Sequence, residues 1–411
     1  MNLAYFIAKR LITDKQYKNS ISAPIIKMAI AAIALGLVMM LVAIATGTGL
    51  QQKIREKVAA FNGHIQIFNY DSNNSAVSLT PIKIQQDFYP EFNNIEGITH
   101  IQAVATKGGI IRTEDTFEGV IAKGVGTDYQ WDTFKSYLIA GRIPDYSGKL
   151  NNEVLISNYL AKRLHLNIED TFFSFFLKDD GGQIPNQRNF KIVGIYESGY
   201  EEFDATYIFT DIRHIQRMNK WKEDEIGNFE VFIDDFSKIK EKGQEIYGKT
   251  LSTLDSQTIT DKYNYIFEWI NLFDFNIAII IGIMILVGGF NMITALLVLI
   301  LERTQMIGIL KALGSTNANI RKIFLYNATY LILIGLFWGN VIGIGLLLIQ
   351  KYFGFIKLDP ATYYVTEAPV YLNVGNILAL NAGTLILCLI MLLIPSYIVS
   401  KITPVKAIRF E

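Results

Sequence analysis

Four long apolar stretches constrain the fold of this chain more than any other feature of its 411 residues. They cover residues 28–50, 276–301, 323–349 and 376–399, and none of them contains Asp, Glu, Lys or Arg. A helix needs about 20 mostly apolar residues to cross a bilayer. The sequence therefore predicts four transmembrane helices.

The charge of the shorter segments predicts how these helices are oriented. Residues 1–27 contain five Lys and Arg against one acidic residue, residues 302–322 contain four against one, and residues 400–411 contain three against one. Because short segments rich in Lys and Arg stay in the cytoplasm, both chain ends and residues 302–322 are predicted to be cytoplasmic. Residues 51–274 and the loop at residues 350–375 are then predicted to lie on the opposite side.

The segment at residues 51–274 is long enough to bury a hydrophobic core of its own. It carries a net charge of −9, from 24 Lys and Arg and 33 Asp and Glu. Stretches such as "GHIQIFNY" and "RNFKIVGIY" are typical of strands, whereas "DIRHIQRMNKW" has helical spacing. The sequence predicts an α+β membrane protein with a large mixed α+β domain between the first two of its four transmembrane helices. An inserted subdomain is predicted at about residues 131–225, and residues 1–27 are predicted to form an amphipathic segment on the membrane surface.

The stretch "GQEIYGKT", residues 243–250, matches the phosphate-binding pattern of Gly, four residues, Gly, Lys and Ser or Thr. A phosphate-binding loop lies between a strand and the start of a helix, where backbone N–H groups point at the phosphates. Here Asp235 is a predicted N-cap, Ile239 and Ile246 follow at helical spacing, and Gly248 is predicted to end the helix. We therefore interpret the stretch as a helix end and not as a nucleotide site.

The segment between the second and third apolar stretches, "LERTQMIGILKALGSTNANIRKIFL", predicts a short amphipathic helix. Met306, Leu310 and Leu313 fall on one face, Gly314 is predicted to end the helix, and the following Ser-Thr pair can cap the next one. Two interpretations fit this pattern. The helix either lies on the lipid surface or docks as a coupling helix into a separate cytoplasmic subunit.

The apolar stretches also contain small and polar residues with structural meaning. Gly335, Gly339 and Gly343 are spaced four apart, a row that lets transmembrane helices pack closely. Asn327 and Asn340 are polar at membrane depth, which predicts bonds between helices or a cavity lining. No pair of charges lies within the stretches, which argues against an ion-driven pump.

The sequence argues against a catalytic site and against a metal site in this chain. Cys388 is the only cysteine, so an intrachain disulfide and a Cys-based zinc site are excluded. The four histidines lack metal-ligand spacing, and no acid–base constellation is evident. We therefore predict that the chain is not an enzyme, holds no catalytic residue and no metal, and has no nucleic-acid partner.

The run "ERTQMIGILKALGSTNANIRKIF" and the closing "PSYIVSKITPVKAIRFE" resemble the permease domain shared by the FtsX, MacB and Lol proteins of bacterial ABC systems. The resemblance implies a separate cytoplasmic ABC ATPase, in two copies, which binds ATP and Mg while this chain binds no cofactor. It also implies a second permease, the same or a homologous chain, in the bacterial inner membrane. The ATPase-coupling residues implied by it are Glu302, Arg303, Met306, Ile307, Leu310, Lys311, Leu313 and Gly314.

Two further stretches resemble the lipoprotein-releasing permeases within this superfamily. "FKIVGIYESGYEEFDATYIF" is similar to a stretch of their periplasmic domain, and "GGQIPNQRNF" resembles a hook that holds a periplasmic lipoprotein carrier. A plain hairpin remains the alternative for the hook. The hook candidates are Pro185, Gln187, Arg188 and Phe190. A substrate cavity between two permeases is also implied, and its candidates by position and apolar character are Met39, Met40, Ile44, Phe267, Ile270 and Phe273.

The resemblance implies a membrane subunit that extracts lipoproteins from the inner membrane and passes them to a periplasmic carrier, driven by the partner ATPase. Two alternatives stay open. One is a MacB-like efflux permease, and the other is an FtsX-like signalling subunit that activates cell-wall hydrolases. The homodimeric or heterodimeric pairing of permeases and the identity of the cargo do not follow from the sequence.

Overall fold

The computed structural model describes residues 3–13, 23–72, 75–178 and 184–402. The chain divides into two compact units. We call one unit the bundle, and it consists of Met1–Gln51, Ile270–Lys357 and Glu367–Glu411. We call the other the inserted domain, and it consists of Gln52–Trp269 together with Leu358–Thr366, a part of the loop between the last two apolar stretches.

Both units contain helices, and within the described ranges four of these are long and apolar enough to cross a membrane. These four are α2, α9, α11 and α13, and they confirm the predicted transmembrane helices. The described helices are α1 Leu3–Thr13, α2 Ala23–Asn62, α3 Asp132–Lys135, α4 Asn158–Leu164, α5 Glu201–Thr206, α6 Ile212–Asn219, α7 Ile239–Lys249, α8 Ile259–Lys262, α9 Asn264–Glu302, α10 Thr304–Ala312, α11 Asn317–Phe353, α12 Pro360–Tyr363, α13 Val374–Ser396 and α14 Ile398–Lys401.

The strands all lie between α2 and α9, which confirms the mixed α+β domain at that place. They are β1 Ile65–Asn69, β2 Ile82–Lys83, β3 Ile98–Arg112, β4 Phe117–Val125, β5 Leu138–Gly141, β6 Glu153–Ser157, β7 Thr171–Phe176, β8 Asn186–Tyr196, β9 Tyr207–Asp211, β10 Glu225–Ile226, β11 Asn228–Ile233 and β12 Leu254–Thr258. Ten of them form one sheet in the order β12-β1-β11-β3-β4-β9-β6-β8-β5, with β7 paired to β3 and β8.

The predicted inserted subdomain, residues 131–225, is not a separate compact unit. Its strands β5 to β9 belong to the same sheet as β3 and β4. Buried side chains from both parts also share one hydrophobic core, for example Ala105 and Val120 with Ile156 and Phe190. The pairing of β4 with β9 is parallel and joins residues far apart in sequence, so hydrophobic periodicity could not predict it.

The row of glycines in α11 is where that helix packs against α2. A Cβ at Gly339 would lie 2.9 Å from both the Ala34 carbonyl oxygen and the Leu37 Cβ. At Gly335 it would lie 2.8 Å from the side chain of Ile33. The predicted close packing within the bundle is therefore confirmed, because only glycine leaves room for the α2 backbone.

A pair of asparagines connects α11 to α13. The Asn340 side-chain N–H donates to the Asn381 Oδ1 over 2.7 Å, and the Asn381 N–H donates to the Asn340 Oδ1 over 3.1 Å. The prediction that Asn340 bonds across helices is confirmed. Asn327, by contrast, is fully buried and neither atom of its amide makes a hydrogen bond in the described structure.

Candidate functional site

The helix α10 follows α9 directly and ends at a left-handed glycine. Gly314 has a φ of 89°, and the Ser315 N–H donates to the Leu310 carbonyl over 2.9 Å. This arrangement satisfies carbonyls that the helix end would otherwise leave unpaired. The Thr316 hydroxyl then accepts from the Asn319 N–H and begins α11. The predicted stop at Gly314 is confirmed, and Thr316 is the member of the predicted Ser315–Thr316 pair that caps α11.

The two faces of α10 differ sharply in exposure. Ile307 is fully buried in the core of the bundle, and Met306 and Leu310 pack partly against that core. On the other face Leu313 is 80% exposed and Ile309 is 48% exposed. The predicted stripe of Met306, Leu310 and Leu313 is therefore only partly right, because the buried position is Ile307 and Leu313 faces outward.

The eight predicted coupling residues consequently occupy different environments. Glu302, Leu313 and Gly314 are exposed, Ile307 is buried, and the remaining four, Arg303, Met306, Leu310 and Lys311, are half-buried. Leu310 also packs against Ala4 and Ala8 of α1, so the N-terminal helix supports α10 from the side. The surface that α10 offers to a partner centres on Ile309 and Leu313. Ile309 was not among the predicted residues, although its place opposite Ile307 on a helix could have indicated it.

Of the hook candidates, Pro185 lies just before β8 and the other three lie within it, where the sheet register separates them. Residues 181–183 of the hook segment lie outside the described residues. Gln187 is exposed and pairs with Phe175 of β7, whereas Arg188 pairs with the fully buried Ser174. Neighbouring residues in a strand point to opposite faces, so Gln187 lies on the outer face and Arg188 on the inner one. Phe190 is fully buried among core residues, and Pro185 is half-buried.

The outer face around Gln187 carries a group of exposed apolar side chains. Phe117 is 69% exposed, Phe173 is 48% exposed and Ile110 is 46% exposed. Register places them together, because Arg112 pairs with both Phe117 and Phe173, and Ile110 pairs with Phe175. We call Ile110, Phe117 and Phe173 the outer-face patch. An adjoining open cavity of about 680 Å³ is lined by the β3–β4 turn, Phe175 and Pro185. Contiguous exposed apolar surface is typical of interaction sites, so we treat the outer-face patch as a candidate site.

The predicted cavity residues differ in their exposure. Met39 of α2 is 46% exposed, but Met40 is buried in the bundle core. Ile270 is fully buried, and Phe267 of the inserted domain is buried and stacks on Phe236 at 5.7 Å. The other two candidates, Ile44 and Phe273, are half-buried. Their role toward a substrate stays a prediction.

The stretch at residues 243–250 lies within and at the end of α7, as interpreted. Gly243 is buried inside the helix, and a Cβ there would lie 2.7 Å from the Thr258 side chain. The carboxylate of Asp235 accepts from the Ser237 N–H and caps the short 3-10 turn that leads into α7. The prediction for Gly248 was wrong, because the helix continues to Lys249 and ends at an extended Thr250.

Two hydrogen-bonded contacts that the sequence did not predict are made by lysine side chains near helix ends. Lys57, near the end of α2, donates to the Tyr364 carbonyl over 2.8 Å, and the Tyr364 ring packs edge-on against Tyr200 and Trp269. Lys311 of α10 donates to backbone carbonyls next to α14. No local pattern marks either contact, since both partners are backbone groups far along the chain.

Two family models match the chain. Residues 28–248 match the MacB-like periplasmic core domain, and residues 278–404 match the FtsX-like permease C-terminal domain. The first match covers more than half of the chain. The chain belongs to the bacterial ABC-transporter permeases of the FtsX, MacB and Lol superfamily. Permeases of this family are not themselves enzymes, and their four apolar helices and periplasmic core domain fit an inner-membrane protein.

The chain is similar over nearly its full length to individual relatives of more than one kind. The lipoprotein-releasing system transmembrane protein LolC of Xylella fastidiosa is 20% identical over 100% of this chain and 98% of its own length. The corresponding LolE of Haemophilus influenzae is 22% identical over 99% of each chain. The ABC transporter permease YknZ of Bacillus subtilis is 22% identical over 93% of this chain and 94% of its own length.

Solved structures are similar to about half of the chain. The extracellular domain of YknZ from Gram-positive bacteria covers 47% of this chain and 99% of its own, with 14% identity and a TM-score of 0.32. The periplasmic region of MacB from Actinobacillus actinomycetemcomitans covers 50% of this chain and 92% of its own, with 17% identity and a TM-score of 0.33.

Proposed function

We propose that this chain is the membrane subunit of an ABC-type complex that extracts lipoproteins from the inner membrane and passes them to a periplasmic carrier. A separate cytoplasmic ATPase, in two copies, binds and hydrolyses ATP with Mg²⁺, and this chain holds no cofactor. A second permease, the same or a homologous chain, completes the membrane part. Both termini and α10 face the cytoplasm, and the inserted domain faces the periplasm.

The observation that carries this proposal is the full-length similarity to relatives named as lipoprotein-releasing permeases. Two exposed apolar surfaces support it. The Ile309 and Leu313 side of α10 offers a site for the ATPase, and the outer-face patch offers a site for a carrier that binds apolar acyl chains.

Depletion of the protein followed by membrane fractionation tests the proposal as a whole. Lipoproteins destined for the outer membrane are expected to accumulate in the inner membrane once the protein is depleted. Normal lipoprotein sorting without the protein would contradict the proposal. Loss of drug or toxin export alone would then favour the MacB-like alternative, and a defect in cell separation alone would favour the FtsX-like one.

A charged residue on the exposed face of α10 is expected to weaken the binding of the ATPase. A Leu313→Glu substitution places a carboxylate where an apolar side chain would be buried, which costs about 2 kcal/mol or about thirtyfold in affinity. Co-purification of the ATPase and its dissociation constant measure this effect. Val374→Glu is the matched control, because Val374 is an apolar residue that is 70% exposed, close to the 80% of Leu313, but it lies at the start of α13. Equal ATPase binding by both variants would count against a coupling role for α10.

Charge on the outer-face patch is expected to weaken carrier binding. Phe117→Asp removes the most exposed aromatic ring of the patch, and we expect about tenfold weaker binding of the carrier in pull-down and titration experiments. Leu251→Asp serves as the control, because Leu251 is 60% exposed and lies after α7, outside the patch. If the carrier binds the Phe117 variant as tightly as the control, the patch is not its docking site.

A further inference from the structure

The side chain of Lys311 makes its hydrogen bonds within this chain. A residue that contacts the ATPase directly would not require these bonds. The Lys311 ammonium nitrogen lies 2.8 Å from the Val399 carbonyl oxygen, 3.3 Å from that of Ser400 and 2.6 Å from that of Ile402. An ammonium group has three N–H donors and no acceptor. The three carbonyls therefore use its full hydrogen-bonding capacity, and the charge of Lys311 points into the bundle.

The carbonyls that Lys311 binds belong to the end of the fourth transmembrane span. The last carbonyls of a helix have no partner within the helix, and a cation near them is favourable. The helix α14 is a single turn that ends at Lys401, so it cannot satisfy these groups by itself. Lys311 supplies the donors from α10, which lies almost ninety residues earlier in the chain.

The end of the fourth span is partly independent of the rest of that span. Pro395 lies in the last turn of α13, where it lacks an N–H donor and interrupts the helical bonding pattern. The helix α13 ends at Ser396, and α14 begins at Ile398. Contacts from outside the span therefore help to hold α14 in place, and the hydrogen bonds from Lys311 are among them.

The helix α10 thus has an exposed apolar face and, on its other side, the hydrogen bonds from Lys311 to the Val399, Ser400 and Ile402 carbonyls. We call these three hydrogen bonds the clamp. Ile309 and Leu313 are exposed, whereas Ile307 is buried and Lys311 is bound to the end of the fourth span. We propose that Lys311 is a positioning residue that transmits displacement of α10 to the fourth transmembrane span, and that it does not contact the ATPase. This inference rests on the proposed function only in taking α10 as the element that the ATPase moves.

Replacement of Lys311 tests whether this residue couples ATP hydrolysis to lipoprotein release without taking part in ATPase binding. In the reconstituted complex with its ATPase, Lys311→Met keeps the length of the side chain but donates no hydrogen bond. We expect the ATPase to remain bound and active, while lipoprotein released per ATP hydrolysed falls about tenfold. Lys311→Arg keeps the charge and the donors, so it is expected to restore most of the release. Loss of ATPase binding in the Met variant, or an unchanged release ratio, would overturn the assignment.

A distance measurement tests the clamp without reference to any substrate. Spin labels at Lys401→Cys and at the exposed Tyr352→Cys, in a Cys388→Ala background, report the position of α14 relative to the far end of α11. ATP is expected to change this distance in the otherwise native complex and to leave it unchanged with Lys311→Met. The complex could release no lipoprotein and still show an ATP-dependent change in this distance that is lost with Lys311→Met. The proposed function would then be wrong, whereas the role of the clamp would be confirmed. An ATP-dependent change of equal size in the Met variant refutes the clamp.

Discussion

A Gly339→Leu variant is expected to lose the packing of α11 against α2 and to be recovered in much lower yield than the native chain. Glycine is required here because a Cβ would lie 2.9 Å from the Ala34 carbonyl oxygen and from the Leu37 Cβ, closer than real Cβ contacts allow. Overpacking of a tight contact costs about 1–3 kcal/mol, and a leucine adds three further carbons to the same space. We expect a loss near the upper end of that range.

The matched control for Gly339 lies in the same helix. Gly345 is also in α11, but no atom lies within 4 Å of a Cβ built there. Gly345→Leu is therefore expected to fold like the native chain, even though it carries the same change in size and helix propensity. Thermal inactivation in detergent, followed by size-exclusion chromatography, measures both variants. Equal loss at the two positions would show that added bulk, and not the contact with α2, causes the defect.

Removal of Glu230 is expected to destabilise the inserted domain by about 3–5 kcal/mol, the range for breaking a buried ion pair. Its carboxylate accepts from Lys123 over 2.6 Å and from Gln102 over 2.8 Å, and the side chains of Lys123 and Glu230 are each only 2% exposed. The three residues lie on β11, β4 and β3, which are adjacent in the sheet. Glu230→Ala leaves the Lys123 charge buried without its carboxylate.

A double variant distinguishes the unpaired charge from a loss of packing. Lys123→Met combined with Glu230→Leu removes both charges and keeps most of the volume, so it is expected to recover most of the lost stability. Hydrogen exchange of the β3, β4 and β11 amides in the full chain gives the local free energy of opening. If the double variant is as unstable as Glu230→Ala, the shape of the site matters more than its charge.

Lys123 and Lys311 both donate hydrogen bonds to backbone carbonyls at the end of a helix. Lys123 donates to the Phe61 carbonyl near the end of α2, and Lys311 donates to the carbonyls at α14. In both cases a cation on another element satisfies carbonyls that a helix end cannot pair by itself. Because the acceptors at the two helix ends are backbone carbonyls, which every residue type has, the sequence around them does not indicate these bonds.

Much of the architecture was predictable because its physical causes are local. The apolar stretches predicted the membrane helices, since length and lack of charge are sufficient for a span. The stop at Gly314 and the cap at Thr316 followed from residues that favour those conformations. The wrong prediction for Gly248 shows the limit of such reasoning, because a glycine also fits inside a helix and α7 continues past it.

The candidate sites were predicted less completely, because the exposure of a side chain depends on its partners. Two of the hook candidates are neighbours in β8, and pairing with β7 places Gln187 outward and Arg188 inward. The outer-face patch joins Ile110 and Phe117 from one hairpin with Phe173 from another strand, and this neighbourhood depends on strand register.

The sequence by itself determined the membrane spans, the large domain between the first two and the short helix that follows the second. Each depends on composition or periodicity within a few turns of chain. Only the tertiary structure decided which side of α10 is exposed, and it alone showed Lys311 bound to the end of the fourth span. The reason is that these properties depend on atoms brought together from distant parts of the chain. A hydrophobic pattern predicts that one face of a helix is buried, but it does not predict which residues pack against that face.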